Sequence, residues 1–236
     1  MRQLFLKLLI LIFQPECIIC GKKLTTKHNS LRFCRKCLKG LMISNYDNLC
    51  PICCHPLTDN SCPSCDKLDR IYFDSLRTIG LYRENNRRII YLLKKNNVDI
   101  INKLLFKIII KKFDIDKETL ITVVPDSEID RYYKGNSSMS YLLNLFNKHG
   151  YKTSFLIKKE ISLFNRSQKN STQKTRLFNI KNKFGYNIID SITNKRVLLI
   201  DDIYTTGATI NYCSKILKEA GVKTVDSIVF FRSVLN

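Results

Sequence analysis

The chain has 236 residues, 44% of them hydrophobic, and carries 40 Lys plus Arg against 20 Asp plus Glu, a formal net charge of +20. That length holds one domain or two, and that hydrophobic share excludes a chain without a core. The charge attracts polyanions, whether nucleic acid, a phosphorylated metabolite or membrane headgroups, and does not choose among them. Part of the excess is compositional, because the chain is also rich in Ile, Asn and Lys.

Met1 to Phe13 is apolar apart from Arg2, Gln3 and Lys7. The run Leu8 to Phe13 is too short to span a bilayer, and no small-residue cleavage site follows. Leu4, Phe5, Leu8, Leu9 and Ile12 fall at helical spacing, so we expect a short amphipathic helix docked on the protein, with peripheral membrane contact as the alternative. No integral membrane span is expected, and a cytoplasmic location follows from the lack of an export signal.

Nine of the ten cysteines lie between Cys17 and Cys65. Eight form four C-x-x-C pairs: Cys17/Cys20, Cys34/Cys37, Cys50/Cys53 and Cys62/Cys65. Two thiolates separated by two residues wrap one face of a tetrahedral metal, and two such pairs complete four ligands. The simplest assignment is sequential, one site from Cys17, Cys20, Cys34 and Cys37, the other from Cys50, Cys53, Cys62 and Cys65. The gaps of 13 and 8 residues between pairs are of zinc-ribbon size, and Gly21 suits the tight turn of a knuckle. A disulfide scaffold would need an oxidising compartment. Iron–sulfur ligation is the other alternative, and the paired spacing favours zinc. Four-Cys sites leave no open coordination position, so these zincs should fold the segment rather than catalyse. Cys54 and His55 are read as spectators with an alternative as ligands. Cys213 is expected to be packed.

Arg77 to Tyr82 reads as a strand. Helices follow around Ile89 to Leu93 and from about Ile100 to Phe113. Leu120 to Val124 is a buried strand ended by Pro125. A loop from Asp126 to Ser138 leads to a helix from about Met139 to His149. Ser154 to Ile157 is another strand, followed by a long basic segment, Lys158 to Lys183, whose length suits a mobile element. A solvated charged loop is the plainer alternative. Val225 to Phe231 is a last buried strand, and Arg232 ends it on a polar note.

One stretch carries chemistry. Val197 to Ile200 is a continuous apolar run suited to a strand buried on both faces, and Asp201 and Asp202 end it. Thr205, Thr206, Gly207, Ala208 and Thr209 then lead into a helical pattern from Ile210 to Glu219, closed by Gly221. Hydroxyls, small residues and a helix N-terminus together make a phosphate cradle. The carboxylates suit the vicinal hydroxyls of a ribose, or Mg²⁺ through water. Both features within a few residues describe a ribose 5-phosphate. The alternative is a strand with an acidic end and a capped helix.

The run from Val197 to Thr209 resembles the phosphoribosyl-pyrophosphate (PRPP) motif of type I phosphoribosyltransferases, a hydrophobic strand followed by Asp-Asp/Glu-x-x-x-Thr-Gly-x-Thr/Ser. Tandem zinc ribbons ahead of such a domain are similar to the ComF family, associated with competence and DNA uptake in bacteria, and the likeness covers nearly the whole chain. The resemblance implies that Asp201 and Asp202 contact the ribose hydroxyls, that Thr205 to Thr209 hold the 5′-phosphate, and that Mg²⁺ accompanies PRPP. It places pyrophosphate at the loop after Pro125. There the family's Arg-Gly-Phe-Asn-Gln is replaced by Lys134-Gly135-Asn136-Ser137-Ser138, leaving Arg131, Lys134 and Gly135 as candidates. A lysine neutralises charge but lacks the bidentate fork of arginine, a change that bears on turnover more than on binding. The family pattern Gln-x₇-Arg-x₂-Asn-x₄-Phe fits Gln168, Arg176, Asn179 and Phe184, in a region that would supply a hood over PRPP. Arg166, Lys169 and Arg176 are its pyrophosphate candidates.

The expected fold is therefore α/β, a type I phosphoribosyltransferase-like parallel-sheet domain over residues 70–236, preceded by a leading helix and double zinc ribbon over 1–69. The expected function is that of a PRPP-binding phosphoribosyltransferase-family protein, a candidate pentosyl-transferring enzyme, linked to competence and DNA uptake. The alternative is a non-catalytic PRPP- or nucleotide-sensing adaptor whose ribbons contact a competence protein or single-stranded DNA. A homodimer is implied by resemblance alone.

Overall fold

Val197, Leu198, Leu199 and Ile200 are each at most 2% exposed, because they lie inside a parallel sheet covered on both faces. Each such side chain contributes roughly 1.5–3 kcal/mol through burial. The computed structural model describes residues 15–24, 32–43, 48–57, 61–94, 98–125, 137–159, 184–186 and 192–234. The expected leading helix lies outside the described residues.

The elements are α1 (Arg35–Leu41), β1 (Ser75–Leu81), α2 (Glu84–Lys94), α3 (Val98–Lys112), β2 (Leu120–Val123) and α4 (Ser138–Lys148), then β3 (Ile157–Lys159), β4 (Phe184–Tyr186), β5 (Arg196–Tyr204), α5 (Ala208–Glu219) and β6 (Thr224–Arg232). Four strands form one sheet in the order β1-β6-β5-β2, every neighbouring pair parallel. A separate antiparallel pair joins β3 to β4. Among the described residues no helix is long and apolar enough to cross a membrane.

Helices α3, α4 and α5 start one or two residues earlier than their patterns indicate, and α2 starts five residues earlier, at Glu84. One strand is displaced. Ser154 donates its N–H to the Ile121 carbonyl at 3.0 Å, and Leu156 donates to the Thr122 hydroxyl at 3.2 Å. This segment therefore runs beside β2 without a full ladder, and the strand begins only at Ile157.

Alternation along the strands sends side chains to two cores. Leu198, Ile200 and Ile228 join α2, α3 and α4 on one face, and Leu199, Val225 and Val229 join α5 on the other. The cysteine segments divide in the same way. Cys17, Cys34 and Cys37 belong to the first cluster, and Cys50, Cys53 and Cys54 to the second. Gly80 makes the first docking feasible, because a Cβ there would lie 2.0 Å from the Leu41 carbonyl oxygen. Ile43 then donates its N–H to the Ile79 carbonyl at 3.0 Å, tying the end of the α1 segment to β1.

Candidate functional site

The structure brings the eight paired cysteines into two groups, Cys17, Cys20, Cys34 and Cys37, and Cys50, Cys53, Cys62 and Cys65, with the sulfurs of each group within 4.8 Å of one another. Tetrahedral coordination at a Zn–S distance of about 2.3 Å requires sulfurs about 3.8 Å apart. Cys20 Sγ and Cys34 Sγ are 3.8 Å apart, as are Cys50 Sγ and Cys65 Sγ, while Cys53 Sγ and Cys62 Sγ are 3.5 Å apart. All eight thiols are free, at separations far beyond the roughly 2.05 Å of a disulfide. The donor set thus fits zinc, and each group could hold one ion.

Backbone geometry prepares some of these ligands, while burial pushes the Cys37, Cys53 and Cys65 thiols up. Burial pushes the Cys17 thiol up, but N–H groups of Cys34, Cys20 and Ile19 outweigh it and hold the pKa down to about 7. Cys54 differs. Burial pushes its thiol up to about 11, and it donates to the Leu76 carbonyl at 3.1 Å. Its φ of +54° is a left-handed turn position where glycine is the usual occupant. Neither Cys54 nor His55 joins a cysteine group. The His55 Nδ1 instead lies 2.6 Å from the Pro56 carbonyl.

The second site lies at the carboxyl end of β5, where ligands bind in open parallel sheets. The strand does not stop at the carboxylates as its apolar run indicates. β2 pairs with β5 only as far as Val123 and Ile200, whereas β6 continues to Tyr204 paired with Arg232. Asp201 and Asp202 therefore remain in extended backbone beside the place where β2 departs. Asp201 is 9% exposed, and its Oδ1 accepts the Asp202 N–H at 2.8 Å. Asp202 pairs with Lys94 at 3.5 Å. With the lysine side chain 61% exposed, that pair contributes at most about 1 kcal/mol and is readily displaced by a ligand.

Thr205, Thr206 and Gly207 turn the chain into α5. Gly207 is its N-cap, at φ +82°. A Cβ there would also lie 2.0 Å from the Tyr204 hydroxyl oxygen, so the loop rests directly on that ring. Burial pushes the Tyr204 phenol up, keeping it neutral. The Thr206 hydroxyl lies 3.4 Å from the Ala208 N–H. Thr205 is exposed, and Thr206 and Thr209 are half-buried. Arg131, Lys134, Gly135, Arg166, Lys169 and Arg176 lie outside the described residues, so the pyrophosphate side is not placed.

Arg232 corrects the sequence reading. It is 1% exposed and donates to backbone carbonyls of Cys53, Tyr204 and Thr205 and to the Ser64 hydroxyl. An arginine directly after Phe230-Phe231 in a buried strand is the one trace of this in the sequence. Asn211 was also silent. Its side chain accepts from the Tyr72 N–H at 2.8 Å and donates to the Arg70 carbonyl at 2.7 Å, fastening α5 to the segment leading into β1.

Residues 154–233 match the phosphoribosyl transferase domain model. The chain is 28% identical over 228 residues to competence protein ComFC of Streptococcus pneumoniae, covering 92% of this chain and 100% of that protein. The chain is thus similar over most of its length to a ComF-type competence protein. Competence protein ComFC of Bacillus subtilis is 25% identical over 213 residues, covering 85% of this chain and 82% of that one. Among solved structures, glutamine PRPP amidotransferase from B. subtilis aligns at 22% identity and a TM-score of 0.38, over 54% of this chain and 25% of that one. At that score the likeness carries no argument. The chain thus carries a phosphoribosyltransferase-like domain together with two four-cysteine clusters able to hold zinc.

Proposed function

We propose that this protein binds PRPP, or a related ribose 5-phosphate, at the β5–α5 loop, in a role linked to DNA uptake. The observation that supports it is the placement of Asp201 and Asp202 beyond the end of β2, followed by a loop whose Gly207 backbone opens α5. Asp201 and Asp202 would meet the ribose hydroxyls or Mg²⁺, and Thr205 to Thr209 the 5′-phosphate. Mg²⁺ bound with PRPP would neutralise pyrophosphate oxygens. Arg131, Lys134, Gly135, Arg166, Lys169 and Arg176 are the proposed lining on that side. Phosphate binding remote from the sugar's reacting carbon supplies positioning energy. Residues 1–69 form the proposed zinc segment, and 70–236 the transferase-like domain.

Calorimetric titration of PRPP into zinc-loaded protein tests this. We expect Mg²⁺-assisted binding, weakened roughly 100-fold or more in Asp201→Asn/Asp202→Asn, because two charge-assisted hydrogen-bonding groups are lost. No binding by the wild type would reduce the motif to architecture. Pyrophosphate release with a nucleobase would make the protein a transferase, and binding without turnover would make it a PRPP-sensing adaptor.

The adaptor reading draws on a second observation. A groove of about 640 Å³ at the first cysteine cluster is lined by Lys22, Lys23, Arg35 and Lys36, together with Glu84 and Asn85. Its positive charge suits single-stranded nucleic acid. If four cations each meet one phosphate, replacing them with alanine lowers the salt-dependence slope of single-stranded DNA binding by about 3. Asp201→Asn/Asp202→Asn leaves it unchanged. An unaltered slope in the fourfold variant would remove the groove from consideration.

A further inference from the structure

The second cysteine cluster and the phosphate loop meet through the side chain of Arg232. Its Nε donates to the Cys53 carbonyl at 3.1 Å and its Nη2 to the Ser64 hydroxyl at 2.6 Å. From the same guanidinium, Nη1 donates to the carbonyls of Tyr204 at 3.2 Å, Thr205 at 3.0 Å, and Ser233. The guanidinium also lies 4.3 Å from the centre of the Tyr204 ring. One fully buried fork therefore joins a residue of the metal cluster to the first residue of the loop. Removing a buried charge-assisted donor leaves several carbonyls unsatisfied, so the two elements cannot separate cheaply.

A cleft opens at this junction. His55, Pro63, Ser64 and Lys67 line it from the cysteine segment, and Thr205, Thr206 and Arg232 from the other side. At about 30 Å³ it holds the oxygens of a small anion and not a nucleobase. A zinc ion with four thiolates is a dianion, which offsets the charge of Arg232 beside it. Lys67 is exposed and makes no ion pair or hydrogen bond among the described residues. It is the cation at this cleft left to meet a ligand.

We propose that the second cysteine segment forms one wall of the anion site, with Lys67 meeting the ligand's 5′-phosphate and Arg232 holding the wall against the loop. This rests on the ribose 5-phosphate reading of the β5–α5 loop. It makes the metal segment part of the binding site and not a separate appendage.

The test titrates ribose 5-phosphate and PRPP separately into the zinc-loaded full chain. Lys67→Ala is expected to weaken both ligands by the same factor, roughly fivefold to tenfold, with no change in melting temperature, and Lys67→Arg to restore most of the loss. Because a ligand held between the cysteine segment and the loop disfavours local opening of that segment, saturating ribose 5-phosphate should slow release of one of the two zinc ions to a chelator in the wild type. Arg232→Lys, which keeps the charge and loses the fork, abolishes that slowing. Ser64→Ala, which keeps the arginine and removes one of its partners, reduces it. Unchanged affinity in Lys67→Ala, loss confined to PRPP, or zinc release indifferent to ligand would each overturn the wall while leaving the loop as the site. Binding of neither ligand by the wild type would overturn the underlying site reading as well.

Discussion

Stripping zinc from the full-length chain with a strong chelator is expected to lower its thermal midpoint by roughly 10 °C or more, in one cooperative transition. Apparent binding energies of structural zinc in isolated fingers are about 10–16 kcal/mol. Loss of even about 3 kcal/mol shifts a chain of this size by roughly 6–12 °C. The effect should not stay local, because the clusters are built into both faces of the sheet. Cys17, Cys34 and Cys37 share a core with Ile79, Leu198 and Phe230, and Cys50 and Cys53 share one with Leu199, Val225 and Val229. Native mass spectrometry should find two zinc ions per wild-type chain and one in Cys37→Ser. Cys54→Ser should keep both, since that thiol faces the Leu76 carbonyl and not the metal. An unchanged midpoint after complete chelation would show that the clusters do not hold the fold together.

Gly207→Ala should abolish ligand binding and destabilise the protein by more than a conformational penalty alone. A non-glycine residue in the left-handed region costs about 1–2 kcal/mol. Here the new Cβ would also lie 2.0 Å from the Tyr204 hydroxyl oxygen and 2.4 Å from ring atom Cζ. The ring has nowhere to go. Tyr204 is 1% exposed, edge-on to Phe73 with centroids 6.4 Å apart, and covered by the Arg232 guanidinium. The loop must lift instead, carrying Thr205 and Thr206 away from any bound phosphate. Adding Tyr204→Phe removes the hydroxyl and leaves the 2.4 Å contact, so it should not rescue the variant. Thermal melts and PRPP titration read both effects. Wild-type stability and affinity in Gly207→Ala would mean that the loop does not rest on the tyrosine.

What could be read in advance is what short spacing encodes. Four C-x-x-C pairs each fix two sulfurs within one turn, so the thiol clusters were visible from order alone. The apolar run at Val197 to Ile200, the two carboxylates and the Thr/Gly loop lie within thirteen consecutive residues, and their strand–loop–helix form is local. The helices were found because burial repeats along one face.

Tertiary structure decided what joins these parts. Only the sheet order reveals that β6 supports β5 past the end of β2, keeping Asp201 and Asp202 extended. Only packing puts the cysteine clusters on opposite faces of one sheet. Arg232 lies 179 residues from Cys53 and 168 from Ser64, and nothing in its neighbourhood announces either partner. Lys94 beside Asp202, and Lys67 across the cleft from Thr205, are likewise side chains that read as ordinary surface charge until the chain closes. Covalent neighbours determine backbone conformation and metal-ligand spacing. A hydrogen bond across the fold leaves no periodic trace, because its two ends need to match only in space.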